Sequence, residues 1–221
     1  MRKCKIFVAV AMAAVILFGG VVFKIGASAS EQVEKEIKEV DVKKFDKILP
    51  VITAISGHVY TRDSGYDAYR STFYETSFNG ILNYCEKNKL VDYTEDENNY
   101  YLDPINMNAL SDIAYYGGDT AEIREVYDKG AMIYYDEELN VYVIAKEDVD
   151  MGYTVKLTKA EERESLNGKI EVSYYLEGEL YKDGEKVDNI SAYVLPCENS
   201  AANCSFSVKM VCLDKHGIEV Y

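Results

Sequence analysis

Tryptophan is absent from the 221 residues, proline occurs three times and histidine only twice. Two histidines are too few for the imidazole clusters of zinc enzymes, and no Cys-x-x-Cys pair or His-Glu-x-x-His helix replaces them. A Gly-x-Ser-x-Gly elbow and a phosphate-cradling glycine loop are missing as well, so no catalytic set and no cofactor is implied. Positive charge is short. The chain has 24 Lys and Arg against 38 Asp and Glu, for a net charge of −14. Such a surface repels phosphate backbones, which excludes nucleic acid as a partner. Anionic lipid is disfavoured on the same ground, while cationic partners and divalent ions are not.

What is present is apolar residues in quantity, 48% of the chain, and 20 tyrosines. That content supplies a substantial core and argues against wholesale disorder. Tyrosine, with an apolar body and a polar tip, suits half-exposed strands and binding rims.

The first residues read as an export signal. Arg2, Lys3 and Lys5 form a positive start, Ile6 to Phe23 is free of charge, and Ala27-Ser28-Ala29 is a small-x-small cleavage pattern. Cleavage is expected before Ser30. The apolar run also reaches the length of a spanning helix, so an uncleaved anchor is the alternative, with membrane contact only through residues 6–23. Either outcome places the rest outside, secreted or on the extracellular face of the membrane. The expected division is 1–29 signal peptide or anchor, 30–62 amphipathic helix and linker, and 63–221 an α+β domain.

Beyond the leader lie Cys85, Cys197, Cys204 and Cys212. An even count in an oxidising compartment suggests disulfides, and four cysteines allow three pairings. Cys197 and Cys204 bracket a turn-forming stretch, so a bridge there closes a hairpin loop, worth roughly 2–3 kcal/mol in the loop-entropy picture. Elimination then pairs Cys85 with Cys212. Reduced, buried thiols are the alternative.

Val33, Ile37, Val40, Phe45 and Ile48 fall mostly at helical spacing, which predicts an amphipathic helix over 31–49 interrupted by Pro50. A short piece over 51–55 follows. A second helix is expected from Asp63 to Leu90. Asp103 before Pro104 caps a third, and Asp119 with Glu122 a short fourth. After Gly130 the apolar period changes to alternation. Six antiparallel strands are expected, over 131–135, 141–145, 153–158, 170–177, 190–195 and 205–213. Phe206, Val208, Met210 and Cys212 would share one face of the last. If Cys197 pairs squarely with Cys204, Leu195 falls opposite Phe206 and Tyr193 opposite Val208; if Ile190, Ala192 and Val194 face the core instead, the register shifts by one and a bulge is required. The fold class is therefore α+β, with N-terminal helices followed by a curved antiparallel sheet of about six strands.

Helices followed by such strands resemble the nuclear transport factor 2-like, cone-shaped fold. Ile123-Arg-Glu-Val-Tyr127 followed by Met132-Ile-Tyr-Tyr-Asp-Glu-Glu-Leu-Asn-Val-Tyr142 is similar to uncharacterised exported proteins of Gram-positive bacteria. The resemblance covers residues 104–221. It implies either an enzyme or a pocket-bearing binding domain, and it carries no catalytic residue onto this chain.

The candidate metal ligands are Asp92, Asp96 and Asp103. With Thr94 they fall at positions one, three, five and twelve of a calcium loop. Glu97 occupies the place where that loop needs glycine, and Asp103 replaces the final glutamate, so a solvated acidic linker is the competing reading. The function expected overall is an extracytoplasmic, non-catalytic binding or interaction domain for an unidentified protein or small molecule. The alternatives are a secreted hydrolase using Asp/Glu pairs and a structural cell-envelope protein held by its anchor.

Overall fold

The computed structural model describes residues 37–61, 78–114, 120, 123–124, 128–146, 149–163 and 172–214. The leader, the start of the second expected helix and His216 lie outside the described residues.

Strand β1 is only Lys38–Glu39. Asp41 then turns the chain: its Oδ1 accepts from the Lys43 amide at 3.0 Å and starts a 3-10 turn over Val42–Phe45. This corrects the helix expected up to residue 49. The apolar residues of the segment do not form a stripe on one helix. The turn instead drives Phe45 and Ile48, both fully buried, into the core.

Helix α1 spans Leu49–Thr61. Pro50 falls in its first turn, where the missing N–H would have had no helical partner, so proline starts the helix instead of interrupting it. Val51 to Gly57 are buried without a polar face, and the helix sits inside the molecule. Residues 78–84 form α2, and a 3-10 turn over Glu86–Asn88 follows it.

The acidic stretch read as a linker is a hairpin. Its strands are β2, Thr94–Glu95, and β3, Asn99–Leu102. Asp103 does cap the next helix, α3, Pro104–Ala114: its Oδ1 accepts from the Asn106 amide at 2.8 Å. Two strands, β4 over Ile133–Asp136 and β5 over Val141–Ala145, flank the expected loop. Asn140 takes φ 54° in that loop, a conformation asparagine tolerates better than most residues. Four long strands complete the chain: β6 Tyr153–Arg163, β7 Ser173–Lys182, β8 Glu185–Pro196 and β9 Phe206–Leu213. Asp183 at φ 51° and Gly184 at φ 86° make the β7–β8 turn, the mirror-type pair that matches strand twist.

The molecule is α+β with antiparallel sheets, as expected, but the strands form two sheets. One has the order β1-β6-β7-β8-β9 and the other β2-β3-β5-β4. The reason is β5. It pairs with β4 on one side and with β3 on the other, Tyr100 opposite Ile144, so this hairpin joins the small sheet.

Helix α1 packs on β6, β7 and β9. Its Gly57 permits the close approach, since a Cβ there would stand 2.7 Å from Cδ2 of Tyr153. The register of β8 and β9 shifts between Tyr193, opposite Met210, and Val194, opposite Val208. Lys209 is the extra residue. Ile190, Ala192 and Val194 face the core, which is the bulged alternative. Beyond the bulge the faces exchange: Val211 and Leu213 are buried, while Met210 and Cys212 point the other way. That corrects the single face expected for β9. A lysine-bearing bulge on an edge strand also discourages another chain from pairing there.

All described residues fall within one unit, Lys35–Tyr221. Among them no helix is long and apolar enough to cross a membrane.

Candidate functional site

The space between α1 and the large sheet is filled by core side chains such as Ile52, Ile55, Leu176, Ala192 and Val194. The opposite face of that sheet is open. Its outward positions are set by strand alternation. Across the strands they form the rows Glu161–Tyr175–Tyr193, Lys159–Glu177–Ser191 and Lys156–Glu179–Asn189.

A pocket of about 330 Å³ lies on these rows, lined chiefly by Thr158, Tyr175, Glu177, Asn189, Ser191 and Asp214. Two local features shape it. A bulge between Leu157 and Lys159 places Thr158 at its edge, where the hydroxyl donates to the Glu177 carbonyl at 3.3 Å. Opposite the bulge stands Gly178, where a Cβ would lie 2.7 Å from the Lys156 carbonyl oxygen. Glycine lets β6 and β7 stay closed at this point.

Four cations of this face, Lys156, Lys159, Arg163 and Lys186, are already engaged. Glu161, 5% exposed, takes Lys159 at 2.5 Å and Arg163 at 2.6 Å. Lys159 first, then Arg163, hold its carboxyl below the ordinary carboxylate range. Arg163 stacks 4.0 Å from the Tyr175 ring centre and donates to Tyr193 Oη at 2.9 Å. Glu179 takes Lys186 at 2.6 Å and the Tyr181 hydroxyl at 2.7 Å, and both hold its carboxyl down. Lys156 lies 4.1 Å over the Tyr181 ring.

The pocket itself keeps carboxylates. Asp214 Oδ2 accepts from Asn189 Nδ2 at 3.0 Å. The Tyr175 phenol shares hydrogen bonds with Ser191 and Glu177, and burial is the main cause that pushes it up. Glu177 and Asp214 thus present negative charge, and Asn189, Ser191 and Thr158 add neutral acceptors. Such a lining suits a group with several N–H donors.

The calcium candidates do not meet. The Asp92 amide donates to Asn106 Oδ1 at 3.1 Å. Asp96 is spent on its own turn, with Oδ1 accepting from the amides of Asn98 and Asn99 at 2.7 and 2.8 Å. Its Oδ2 accepts from the Tyr101 hydroxyl at 2.5 Å, the largest of the causes that hold this carboxyl down. Asp103 is the helix cap. No group of three potential ligands occurs among the described residues.

No S–S bond joins Cys85, Cys197, Cys204 and Cys212 in this structure. The Cys197 amide donates to the Ser205 carbonyl at 2.9 Å, which sets Cys197 and Cys204 at the two ends of one loop. Cys85 is a core residue, whereas the bulge turns Cys212 to the other sheet face, so that expected pair is separated by the sheet.

Sequence reasoning named none of the pocket residues as a site. The available signal was the outward alternation Tyr175, Glu177, Glu179 along β7, which by itself is an ordinary wet strand face.

The fold and site define an α+β protein with two antiparallel sheets and an open acidic pocket on the larger one. No family model, curated protein or solved structure matches the chain.

Proposed function

We propose that the chain is an extracytoplasmic, non-catalytic binding module whose open sheet face takes a lysine- or arginine-bearing segment of a partner protein. The observation that carries this reading is the pocket bordered by Glu177 and Asp214, where the neighbouring cations already sit on Glu161, Glu179 and tyrosine rings. Tyr175 at the rim supplies an apolar and π-rich edge for an alkyl-ammonium or guanidinium group. The four carboxyls Asp96, Asp136, Glu161 and Glu179 are all pushed down, the wrong direction for a general acid. The export signal in residues 1–29 supports the location, and helices preceding long antiparallel strands support the cone-shaped likeness.

Titration with a blocked tetralysine peptide tests the site. Binding should weaken as salt rises, and Glu177→Gln with Asp214→Asn should lower affinity roughly tenfold, since each lost charge contact is worth about 0.5–1 kcal/mol at an exposed site. Equal binding of a tetraglutamate peptide, or an unaffected double variant, refutes it. Amino-terminal sequencing of exported protein tests the location, with Ser30 expected first.

A further inference from the structure

Three cysteines gather where α2 meets the β8–β9 loop. Cys85 follows α2 and is 4% exposed; Cys204 ends the loop and is 5% exposed, and both belong to the main core. Cys197 opens the same loop, is only partly buried and packs against that core. Asn203, the neighbour of Cys204, is tied to the segment after Cys85. Its amide donates to the Leu90 carbonyl at 2.7 Å and its Nδ2 to the Lys89 carbonyl at 3.0 Å. That segment is itself tight, because the Asn88 amide returns to the Cys85 carbonyl at 3.0 Å. Cys204 is near enough for its charge to act on the Cys85 thiol, and Cys197 acts in the same way on Cys204. The Asn203 bonds thus bring Cys204, which shares its loop with Cys197, to the segment that follows Cys85.

We propose that oxidation joins Cys204 to Cys85, pinning the end of α2 to the β8–β9 loop, and that Cys197 is the thiol through which the oxidant enters. The oxidant is a low-molecular-weight disulfide such as glutathione disulfide. The Cys197 thiolate attacks one of its sulfurs and forms a mixed disulfide, releasing one glutathione thiolate. The Cys204 thiolate then attacks the Cys197 sulfur, and the second glutathione thiolate leaves. Finally the Cys85 thiolate attacks the Cys204 sulfur and expels the Cys197 thiolate. Two protein thiols have become one disulfide, and one glutathione disulfide has become two thiols that carry the two protons.

Burial favours the last product: Cys85 and Cys204 are 4% and 5% exposed, so their sulfurs lie away from attacking thiols once joined, whereas Cys197 is only partly buried. Burial first, then the charge of Cys204, pushes the Cys85 thiol up to about 12, so the final exchange is slow at neutral pH and quickens as pH rises.

The test uses the full-length chain in mild detergent, treated with glutathione disulfide at pH 8, acid-quenched at intervals and digested without reduction. Mass spectrometry should show the Cys197–Cys204 peptide pair first and its replacement by Cys85–Cys204. Cys197→Ser should slow oxidation roughly tenfold yet end at Cys85–Cys204, because only the entry thiol is lost. Cys85→Ala should stop at Cys197–Cys204. Cys197–Cys204 as the final wild-type product, a bridge from Cys85 to Cys212, or no protein disulfide at all would overturn the proposal.

Discussion

Replacing Gly178 by alanine sets two opposed effects against each other at one point of the large sheet. Glycine in a strand interior carries an entropic cost, so its removal alone should stabilise by about 0.5–1 kcal/mol. The new Cβ, however, would stand 2.7 Å from the Lys156 carbonyl oxygen and 3.3 Å from Leu157 Cα. These are backbone atoms of the facing strand, not the flexible tip of a side chain. Relief requires β6 to move away where its register is already interrupted, between Leu157 and Lys159. Overpacking against a rigid partner costs about 1–3 kcal/mol. The steric cost exceeds the entropic gain, and the variant should be about 1–2 kcal/mol less stable. For a chain of this size that lowers Tm by roughly 2–8 °C, at about 2–4 °C per kcal/mol. Calorimetry or circular-dichroism melting measures it. The same movement should displace Thr158 from the pocket rim and weaken peptide binding. An alanine variant that melts higher than the parent, as chain entropy alone demands, refutes the reasoning.

Other substitutions read the structure elsewhere. Tyr93 Oη is buried with no hydrogen-bond partner among the described residues, so Tyr93→Phe should be neutral or stabilising by up to about 1 kcal/mol in urea unfolding. Tyr142 Oη accepts from Arg124 Nε at 2.7 Å and donates to the Thr120 carbonyl at 3.3 Å, so Tyr142→Phe should lose about 1–2 kcal/mol in the same assay. Asp136 is held below the ordinary carboxylate range, first by Lys129 at 2.9 Å and then by the Leu139 amide. Its folded pKa lies under its unfolded one. The stability it confers is therefore complete above the ordinary carboxylate range and is lost as pH falls below about 4. Asp136→Asn should flatten the acid limb of a Tm–pH profile, and an unchanged limb would assign acid lability to other carboxyls.

Much of the fold was legible because periodicity reports which face is dry. The alternation at Tyr174, Leu176 and Leu180 is the buried face of β7. Asp183-Gly184 is a legible turn signal between two strand-like runs, since few residue pairs accept two positive φ values in a row. Two things were hidden. Alternation identifies strands but not their partners, so nothing local showed that β5 would bond to β3 as well as β4. A bulge is the second. One extra residue, Lys209, inverts Met210 and Cys212 relative to Val208, and the apolar pattern of β9 reads equally well either way. At 92–103 the acidic residues also serve the backbone: Asp96 and Asp103 accept amides within a turn and a cap, a use that composition does not reveal.

The tyrosines explain how a chain with so many acids keeps an unneutralised pocket. Strand propensity accounts for their place on the pleat, but many of them also seat a cation. Lys44 lies 4.2 Å over Tyr174, Lys89 3.9 Å over Tyr93, Arg124 4.0 Å over Tyr135 and Lys146 4.7 Å over Tyr100. Lys182 covers Tyr153 at 4.3 Å. Each such contact holds a positive group at a ring face, a fixed place that is not Glu177 or Asp214. Three of the ring-seated cations also pair with an acid, Lys146 with Glu95, Lys182 with Asp150 and Arg163 with Glu161, so each is held twice over and away from Glu177 and Asp214. The acidic excess is a property of the exposed faces, which makes it open to screening. Raising ionic strength from 0.01 to 1 M shortens the Debye length from about 30 to about 3 Å. Attraction of a cationic peptide to the Glu177–Asp214 face should collapse over that range, while the partly buried Glu161–Arg163 pair is screened less. A partner that holds on at 1 M salt must bind through apolar contacts, and the pocket would then not be its site.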